Sequence, residues 1–206
     1  MQGNWKRVRG RFWPSLLWRL PRRAKRYAIA AMRTDRYPVE TFHFEGDDET
    51  PNNPRLPLIV YRGVVPEQVG GDMAEWFERT FAVNGWSDGW RNGIYPFLHF
   101  HTGTHEVLGI ACGRATVEFG GARGRPLTVT AGDVVVLPAG TGHRRLDASA
   151  DLLVVGAYPR NGRFDQKRPG QVGRDAAKRA VAAVPLPERD PVLGTEGPVI
   201  ELWRDK

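Results

Sequence analysis

The stretch that decides the fold is Gly93-Ile-Tyr-Pro-Phe-Leu-His99-Phe-His101-Thr-Gly-Thr-His105-Glu106, followed after six residues by Gly113. A second stretch reads Gly132-Asp-Val-Val-Val-Leu-Pro138-Ala-Gly140-Thr-Gly-His143, and three further residues lead to Asp147. The chain holds only five histidines. Three of them and one glutamate stand at spacings that fit a single metal site: His99, His101, Glu106 and His143.

Strand geometry brings these side chains together. Residues two apart in a strand face the same way, so His99 and His101 point to one side and Phe100 to the other. Thr102–Thr104 predicts a turn, and a strand returning from Glu106 places its carboxylate beside the imidazoles. In the second stretch a buried strand over 134–137 is followed by a turn. His143 then begins the next strand and can close the site from across a barrel.

The ligand types predict the metal class. Three imidazoles and one carboxylate suit one divalent transition ion (Fe, Mn, Ni, Co, Cu or Zn) better than Ca²⁺ or Mg²⁺. Four protein ligands would leave one or two positions open if the ion is five- or six-coordinate. An ion with open positions can take water, dioxygen or a chelating substrate. A divalent ion with one carboxylate leaves net charge +1, which favours a small anionic ligand.

The two stretches resemble the motifs of the cupin family, G-x5-H-x-H-x3-4-E-x6-G and G-x5-P-x-G-x2-H-x3-N. Only Asp147 departs, replacing the final Asn at a position that is not usually a ligand in cupins. Together with Thr50–Leu58 and Val154–Pro159, they resemble the YjlB-type single-domain bacterial cupins over about residues 38–170. The resemblance implies an all-β cupin jelly-roll barrel, the metal ligands and a homodimer, but no substrate.

The rest of the chain predicts strands, one inserted helix and a C-terminal helix. Pro66 and Asn84-Gly85 bound a helix over 66–84, and an Ala-rich segment predicts a helix over 173–184. Trp86–Asn92 is expected to be a loop that either lines the barrel mouth or packs as a lid. Strands are predicted over 39–44, 58–61, 95–101, 105–111, 114–119, 126–130, 133–137, 143–147, 152–158 and 198–203.

Charge separates the N-terminal 36 residues from the rest of the chain. Residues 1–36 carry 11 Lys or Arg against one acid, whereas residues 37–206 carry 19 against 22. We therefore expect a basic, aromatic extension at 1–36, either a solvated tail or an arm on anionic lipid or nucleic acid, with Met32 as an alternative start. The cupin barrel follows at 37–170, and a C-terminal helix and edge strand at 171–206. The mildly acidic barrel argues against nucleic acid there.

Composition bears on compartment and on membranes. The single cysteine, Cys112, cannot form an internal disulfide, so nothing demands an oxidising environment. No apolar run approaches the ~20 residues of a membrane span. We expect a cytoplasmic protein, and we expect the solvated tail rather than membrane contact by the N-terminal arm.

The sequence is compatible with two functions, of which we favour the first. One is a metal-dependent, dioxygenase-like or Lewis-acid enzyme acting on a small anionic metabolite; the other is a non-catalytic sensing module. A general base near the open metal positions would favour the enzyme. Strand parity turns several acid–base candidates away from the lumen, and His105 among them is expected to face outward. The catalytic candidates are His105, Tyr95 and Arg91; the rim candidates add Trp90 and Tyr158; the weaker acid–base candidates are Glu118, Asp133 and Asp147.

Overall fold

The computed structural model describes residues 30–33, 36–66, 69 and 71–204. Within them lie ten strands, three α-helices and one turn of 3-10 helix, Gly121–Arg123. The helices are α1 Met73–Val83, α2 Arg174–Ala182 and α3 Pro198–Arg204. The strands are β1 Ala30–Arg33, β2 Pro38–Phe42, β3 Leu58–Tyr61, β4 Trp86–Asn92, β5 Glu106–Cys112, β6 Arg114–Phe119, β7 Arg125–Thr130, β8 Val134–Leu137, β9 His143–Ala148 and β10 Leu153–Pro159.

The strands form two antiparallel sheets. The larger has the order β1-β2-β3-β8-β5-β10-β4, and the smaller has the order β7-β6-β9. Neighbours in each sheet are often far apart in sequence, as β3 and β8 are, which is the connectivity of a jelly roll rather than of simple hairpins. The predicted all-β jelly roll is confirmed.

The central strands of the larger sheet, β3, β8 and β5, are buried on both faces, which explains their unbroken apolar runs. In β3, Leu58 and Val60 pack toward the small sheet, whereas Ile59 and Tyr61 pack toward α1 and α3. Strand β5 follows the same alternation: Leu108 faces the lumen between the sheets, and its neighbours face the helices. Glu106 therefore faces the lumen, because it lies two residues before Leu108.

Helix α1 packs on the outside of the larger sheet through Phe77 and Phe81. It begins at Met73, seven residues later than predicted, because the Asp72 side chain accepts from the amides of Ala74 and Glu75 and so caps the first turn. Its predicted end is confirmed: Asn84 is the cap, and the following glycine has φ +82°.

Two predictions near the site were wrong. Residues 86–92 are not a loop but edge strand β4, paired with β10. The pairing contains a register shift and Asp88 has φ +52°, so the alternation that marks a strand is interrupted. Residues 95–101, predicted as a strand, make only two isolated bridges, His99 with His143 and Phe100 with Lys167. Pro96 within this segment has no amide to donate.

The predicted final strand over 198–203 was also wrong, because this segment is helix α3. Pro198 occupies the first helical position, which suits its fixed φ and missing amide. Gly197 precedes it at φ +104°, and the Asp190 carboxylate accepts from the amide of Val199. Trp203, four residues after Val199, buries the same helix face against the barrel.

Part of the predicted extension lies in the sheet. Ala30–Arg33 pairs with β2 in antiparallel register, so the sheet begins before residue 37. The basic, aromatic stretch at residues 1–29 lies outside the described residues. In the part of the chain that the structure describes, no helix has the length and apolar character needed to cross a membrane.

Candidate metal centre

The structure brings the four predicted side chains together at one end of the lumen. Glu106 begins β5 of the larger sheet, and His143 begins β9 of the smaller one. His99 forms a backbone bridge with His143, with N–O distances of 3.2 and 2.9 Å, and His101 lies two residues further on. Side-chain nitrogens of the three histidines all lie within 4.8 Å of one another. All four side chains are buried.

Each of the three imidazoles is held by a main-chain carbonyl at Nδ1. The partners are Phe97 at 3.1 Å for His99, Thr141 at 3.1 Å for His143, and Asp165 for His101. A carbonyl cannot donate, so each Nδ1 carries the proton. In a neutral ring Nε2 then keeps its lone pair, which is the atom a metal ion takes.

Glu106 completes the cluster. One of its carboxylate oxygens, Oε2, lies 3.4 Å from Nε2 of His101 and 3.3 Å from Nε2 of His143. Oε2 of Glu106 and Nε2 of His101 are nonetheless buried without a hydrogen-bond partner among the described residues. Buried polar atoms normally have hydrogen-bond partners. These two unpartnered atoms would be satisfied if they coordinated the same metal ion. The donor set suits a divalent transition ion.

The pKa shifts reflect burial and mutual charge. Burial, and then the neighbouring His143, lower the pKa of His99 to about 3. Burial also opposes protonation of His101, but the Glu106 carboxylate outweighs it and raises the pKa of that imidazole. Burial would raise the pKa of Glu106, yet the charge on His101 brings it below its usual range. The carboxylate is therefore ionised at neutral pH, as a metal ligand must be.

A cavity of about 200 Å³ opens from the histidines to the surface. Tyr158 forms part of its wall, and its hydroxyl accepts from the indole nitrogen of Trp90 at 2.9 Å. Tyr95 is 44 % exposed at the mouth and stacks on Phe97. These three side chains and Arg91, all expected at the rim, line this cavity. The full lining is Trp90, Arg91, Asn92, Gly93, Ile94, Tyr95, His99, His101, Glu106, Leu108, His143, Tyr158, Phe164 and Gln166.

Arg91 does not offer a free guanidinium to the cavity. It makes a paired contact with both oxygens of Glu78, at 2.7 and 2.8 Å, and a third contact with Asp72 at 3.0 Å. The side chain therefore ties β4 to α1. Arg91, one of the catalytic candidates from the sequence, is therefore not free to bind a substrate carboxylate, because both partners would first have to be released.

His105 faces away from the cavity, as strand parity predicted. It is 1 % exposed, its Nδ1 accepts from the amide of Ala139 at 3.0 Å, and its ring packs on Trp203. Burial lowers its pKa to about 3. A buried neutral ring that supports the Pro138–Gly142 turn is a structural group and not a proton carrier for the cavity.

The weaker acid–base candidates also lie outside the cavity. Glu118 pairs with Arg144 on the outer face of the small sheet. Asp133 accepts from the amides of Gly63 and Thr130 at the other end of β8. Asp147 is exposed in β9.

Sequence reasoning missed several residues that build the site. Phe164 and Gln166 line the cavity from the segment after β10, and Asp165 supplies the carbonyl that holds His101. No motif marks them, because they reach the site only through tertiary contacts some 60 residues along the chain. Asn52 could have been noticed, because it lies in the Thr50–Leu58 stretch that carries part of the family resemblance. Its Oδ1 accepts from the amide of Gly142 at 3.1 Å, directly before His143.

A jelly roll whose lumen holds three convergent imidazoles beside a buried carboxylate defines a cupin. The chain is 36 % identical over 165 residues to the uncharacterized protein YjlB of Bacillus subtilis (strain 168), which covers 80 % of this chain and 96 % of that protein. The chain belongs to the YjlB family of cupins. No family model matches it.

Solved structures show weaker likenesses. A mutant of Bacillus subtilis oxalate decarboxylase matches 68 % of this chain at 15 % identity and a TM-score of 0.32, and this chain spans only 29 % of it. A DUF861 family protein from Thermotoga maritima matches 47 % of this chain and 93 % of its own length, at 18 % identity and a TM-score of 0.31. Family membership follows from the sequence match alone.

Proposed function

We propose that this chain is a metal-dependent enzyme acting on a small anionic metabolite, with His99, His101, Glu106 and His143 as ligands of one divalent transition ion. The observation that carries the proposal is the cluster itself. The three Nδ1–H groups donate to main-chain carbonyls, so the three Nε2 atoms and the Glu106 carboxylate face one another. Of these atoms, Nε2 of His101 and Oε2 of Glu106 have no hydrogen-bond partner among the described residues. A bound ion would supply Lewis-acid or redox chemistry at its open positions.

The cavity fits a small ligand with a negative charge. Its volume, about 200 Å³, lies below that of typical drug-sized pockets. Arg168 lies 3.8 Å above the Phe97 ring, which stacks on Tyr95 at the mouth, and among the described residues no carboxylate pairs with it. This guanidinium lies outside the cavity lining but adds positive charge next to the mouth, whereas the charge of Arg91 is offset by Glu78 and Asp72. The net +1 charge of the loaded site acts in the same direction.

Acid–base catalysis has few groups to draw on. Apart from the proposed ligands, the titratable groups lining the cavity are Arg91, Tyr95 and Tyr158. Burial, and then the charge of Glu106, raise the pKa of Tyr158 well above its usual value, so its hydroxyl stays protonated. It can orient a ligand as a hydrogen-bond partner but does not serve as a base at neutral pH. Metal-centred chemistry is therefore favoured over acid–base isomerisation.

The same scarcity of bases favours a second candidate, a binding or sensing module without turnover. It would use the same ion and the same cavity. The two candidates differ only in whether a bound anion is converted.

The first experiment tests the metal site. We expect purified protein to contain about one equivalent of a transition metal per chain, measured by elemental analysis. The double substitution His99→Ala, His101→Ala should abolish it, because two of the four donors are lost. His105→Asn serves as the matched control, since that histidine lies outside the cluster. Unchanged metal content in the double variant would overturn the proposal.

The second experiment separates enzyme from sensor. Metal-loaded protein is mixed with small carboxylates such as oxalate and with catechol, and binding is followed by calorimetry while oxygen uptake and product formation are monitored. Metal-dependent turnover of any of these supports the enzyme. Metal-dependent binding without conversion across the panel supports the sensing module.

A further inference from the structure

Nine residues after β10 close over the metal-facing end of the barrel, and we call residues 160–168 the strap. Its amides and carbonyls pair with the segment that bears His101. Arg163 N donates to Gly103 O at 2.8 Å, Lys167 N donates to Phe100 O at 2.9 Å, and Phe100 N returns a bond of 3.0 Å. The strap therefore pairs with residues 100–103, from Phe100 before the turn to Gly103 within it.

Asp165 is the centre of this contact. Its Oδ1 accepts from the amides of Thr102 and Gly103, both at 2.8 Å, and its Oδ2 accepts from the Thr102 hydroxyl at 2.6 Å. The main-chain carbonyl of the same residue accepts from Nδ1 of His101. One residue thus fixes both the turn that follows His101 and the ring of His101 itself.

Two glycines allow the close approach. A Cβ on Gly103 would lie 2.4 Å from the carbonyl oxygen of Arg163, and a Cβ on Gly162 would lie 2.2 Å from the Thr104 hydroxyl. Neither distance is tolerated between non-bonded atoms, so a side chain at either position would force the strap or its neighbour to shift. The strap and the turn therefore pack closely at these two glycines.

The residues that flank Asp165 face the cavity instead. Phe164 and Gln166 both line it, and the Phe164 ring lies 5.5 Å from that of His101 and 5.0 Å from that of Tyr158. Between them, the Asp165 carboxylate accepts hydrogen bonds from the turn. The strap therefore joins the cavity wall to one proposed metal ligand.

We propose that the Asp165 carboxylate is a positioning group: by holding the strap on the turn it keeps the main-chain carbonyl of the same residue against Nδ1 of His101, and so sets the tautomer and ring orientation of His101 and the metal affinity of the site. Rings that donate Nδ1–H to a fixed acceptor present Nε2 in one direction, and loss of such partners in metal sites typically costs 10–100-fold in affinity. The inference rests on the proposed metal site. It adds that the strap is required for full affinity.

The test compares Asp165→Ala with Asp165→Asn, Thr102→Val and a control at a matched position. Asn keeps an oxygen for the two amides and loses one acceptor, whereas Ala loses all three bonds. Asp133→Asn is the control, because Asp133 likewise accepts from an amide and a hydroxyl, those of Thr130, at the other end of β8. Each full-length variant is titrated with Co²⁺ by visible absorption, and the histidine ring NH signals of the metal-free protein are recorded by NMR at mildly alkaline pH.

We expect the Co²⁺ Kd to rise about 10- to 100-fold in Asp165→Ala and less in Asp165→Asn, with no change in the control. The Nδ1–H signal of His101, assigned with a His101→Gln variant, should be lost or averaged in Asp165→Ala and kept in the control. A lowered melting temperature with wild-type affinity and an unchanged ring signal would reduce Asp165 to a structural role and overturn the inference.

The same titrations and ring signals also cover two other cases, a variant that does not fold and a wild-type protein that takes up no Co²⁺. If Asp165→Ala does not fold, Thr102→Val removes only the 2.6 Å bond and should still raise the Kd; an unchanged Kd there counts against the inference. If wild-type protein takes up no Co²⁺, the proposed function fails, while the ring signal still decides whether Asp165 orients His101.

Discussion

At the scale of single residues, His105 is a structural histidine that lies directly before Glu106, one of the proposed metal ligands. It stands next to Glu106 in sequence but on the opposite side of the sheet, where Trp203 covers its ring and Ala139 donates to its Nδ1. His105→Ala should lower the free energy of unfolding by about 2–4 kcal/mol, from lost packing and an unsatisfied buried amide.

His105→Asn is the matched variant, because its side-chain oxygen can accept from the same amide. It should cost less stability in chemical denaturation, and both variants should keep the metal content of the wild type. Loss of metal with intact folding in either variant would place His105 in the site after all.

The same residues show what a sequence can reveal about a site. Parity within a strand is a local property, so the lumen orientation of Glu106 and the outward orientation of His105 were predictable. Asp165 and Tyr158 were not predictable as partners of His101, since their positions depend on how β10 and the strap return to the barrel. Nothing in the sequence indicated that the Arg91 charge is already paired. Its partners, Asp72 and Glu78, become its neighbours only when α1 packs against β4.

At the scale of elements, Asp190 holds the C-terminal segment on the barrel. It is fully buried, and its carboxylate accepts from the amides of Val192, Leu193 and Val199 and from the Tyr61 hydroxyl. In Asp190→Asn, an amide NH₂ group replaces one of the two carboxylate oxygens that accept these hydrogen bonds. We expect a loss of about 1–3 kcal/mol in unfolding free energy, because a buried donor is left unpaired.

Tyr61→Phe is the milder comparison, since it removes one of four donors and leaves the ring packed. It should cost about 1 kcal/mol. Limited proteolysis should cut the segment after residue 185 faster in Asp190→Asn than in Tyr61→Phe. Equal stability of all three proteins in denaturant would show that this carboxylate does not anchor α3.

Elements differed in how well their sequences revealed them. Strands β3 and β8 were predictable because apolar runs of four residues between turn signals have few other uses. Strand β4 was hidden by its bulge at Asp88 and its polar edge. Helix α3 was taken for a strand because its short apolar run, broken only by Glu201, fits either element. Pro198 at the first helical position and the cap from distant Asp190 favour the helix.

At the scale of the whole molecule, the cluster joins the two sheets. Glu106 belongs to the larger sheet and His143 to the smaller one, so an ion held by both would cross-link the barrel at its open end. The basic charge of the chain takes no part in this, because residues 1–36 carry it and the rest of the chain is mildly acidic.

That cross-link predicts stabilisation by metal. A ligand that binds only the folded state at 100 times its Kd adds about 2.7 kcal/mol. For a chain of this size each kcal/mol raises Tm by about 2–4 °C, so Co²⁺ or Zn²⁺ should raise Tm by about 5–10 °C over metal-free protein in calorimetry. Glu106→Gln should reduce the increment, because a neutral amide is a poorer ligand than a carboxylate. His105→Asn should preserve it, whereas an equal increment in His99→Ala, His101→Ala would mean that the ion binds elsewhere on the chain.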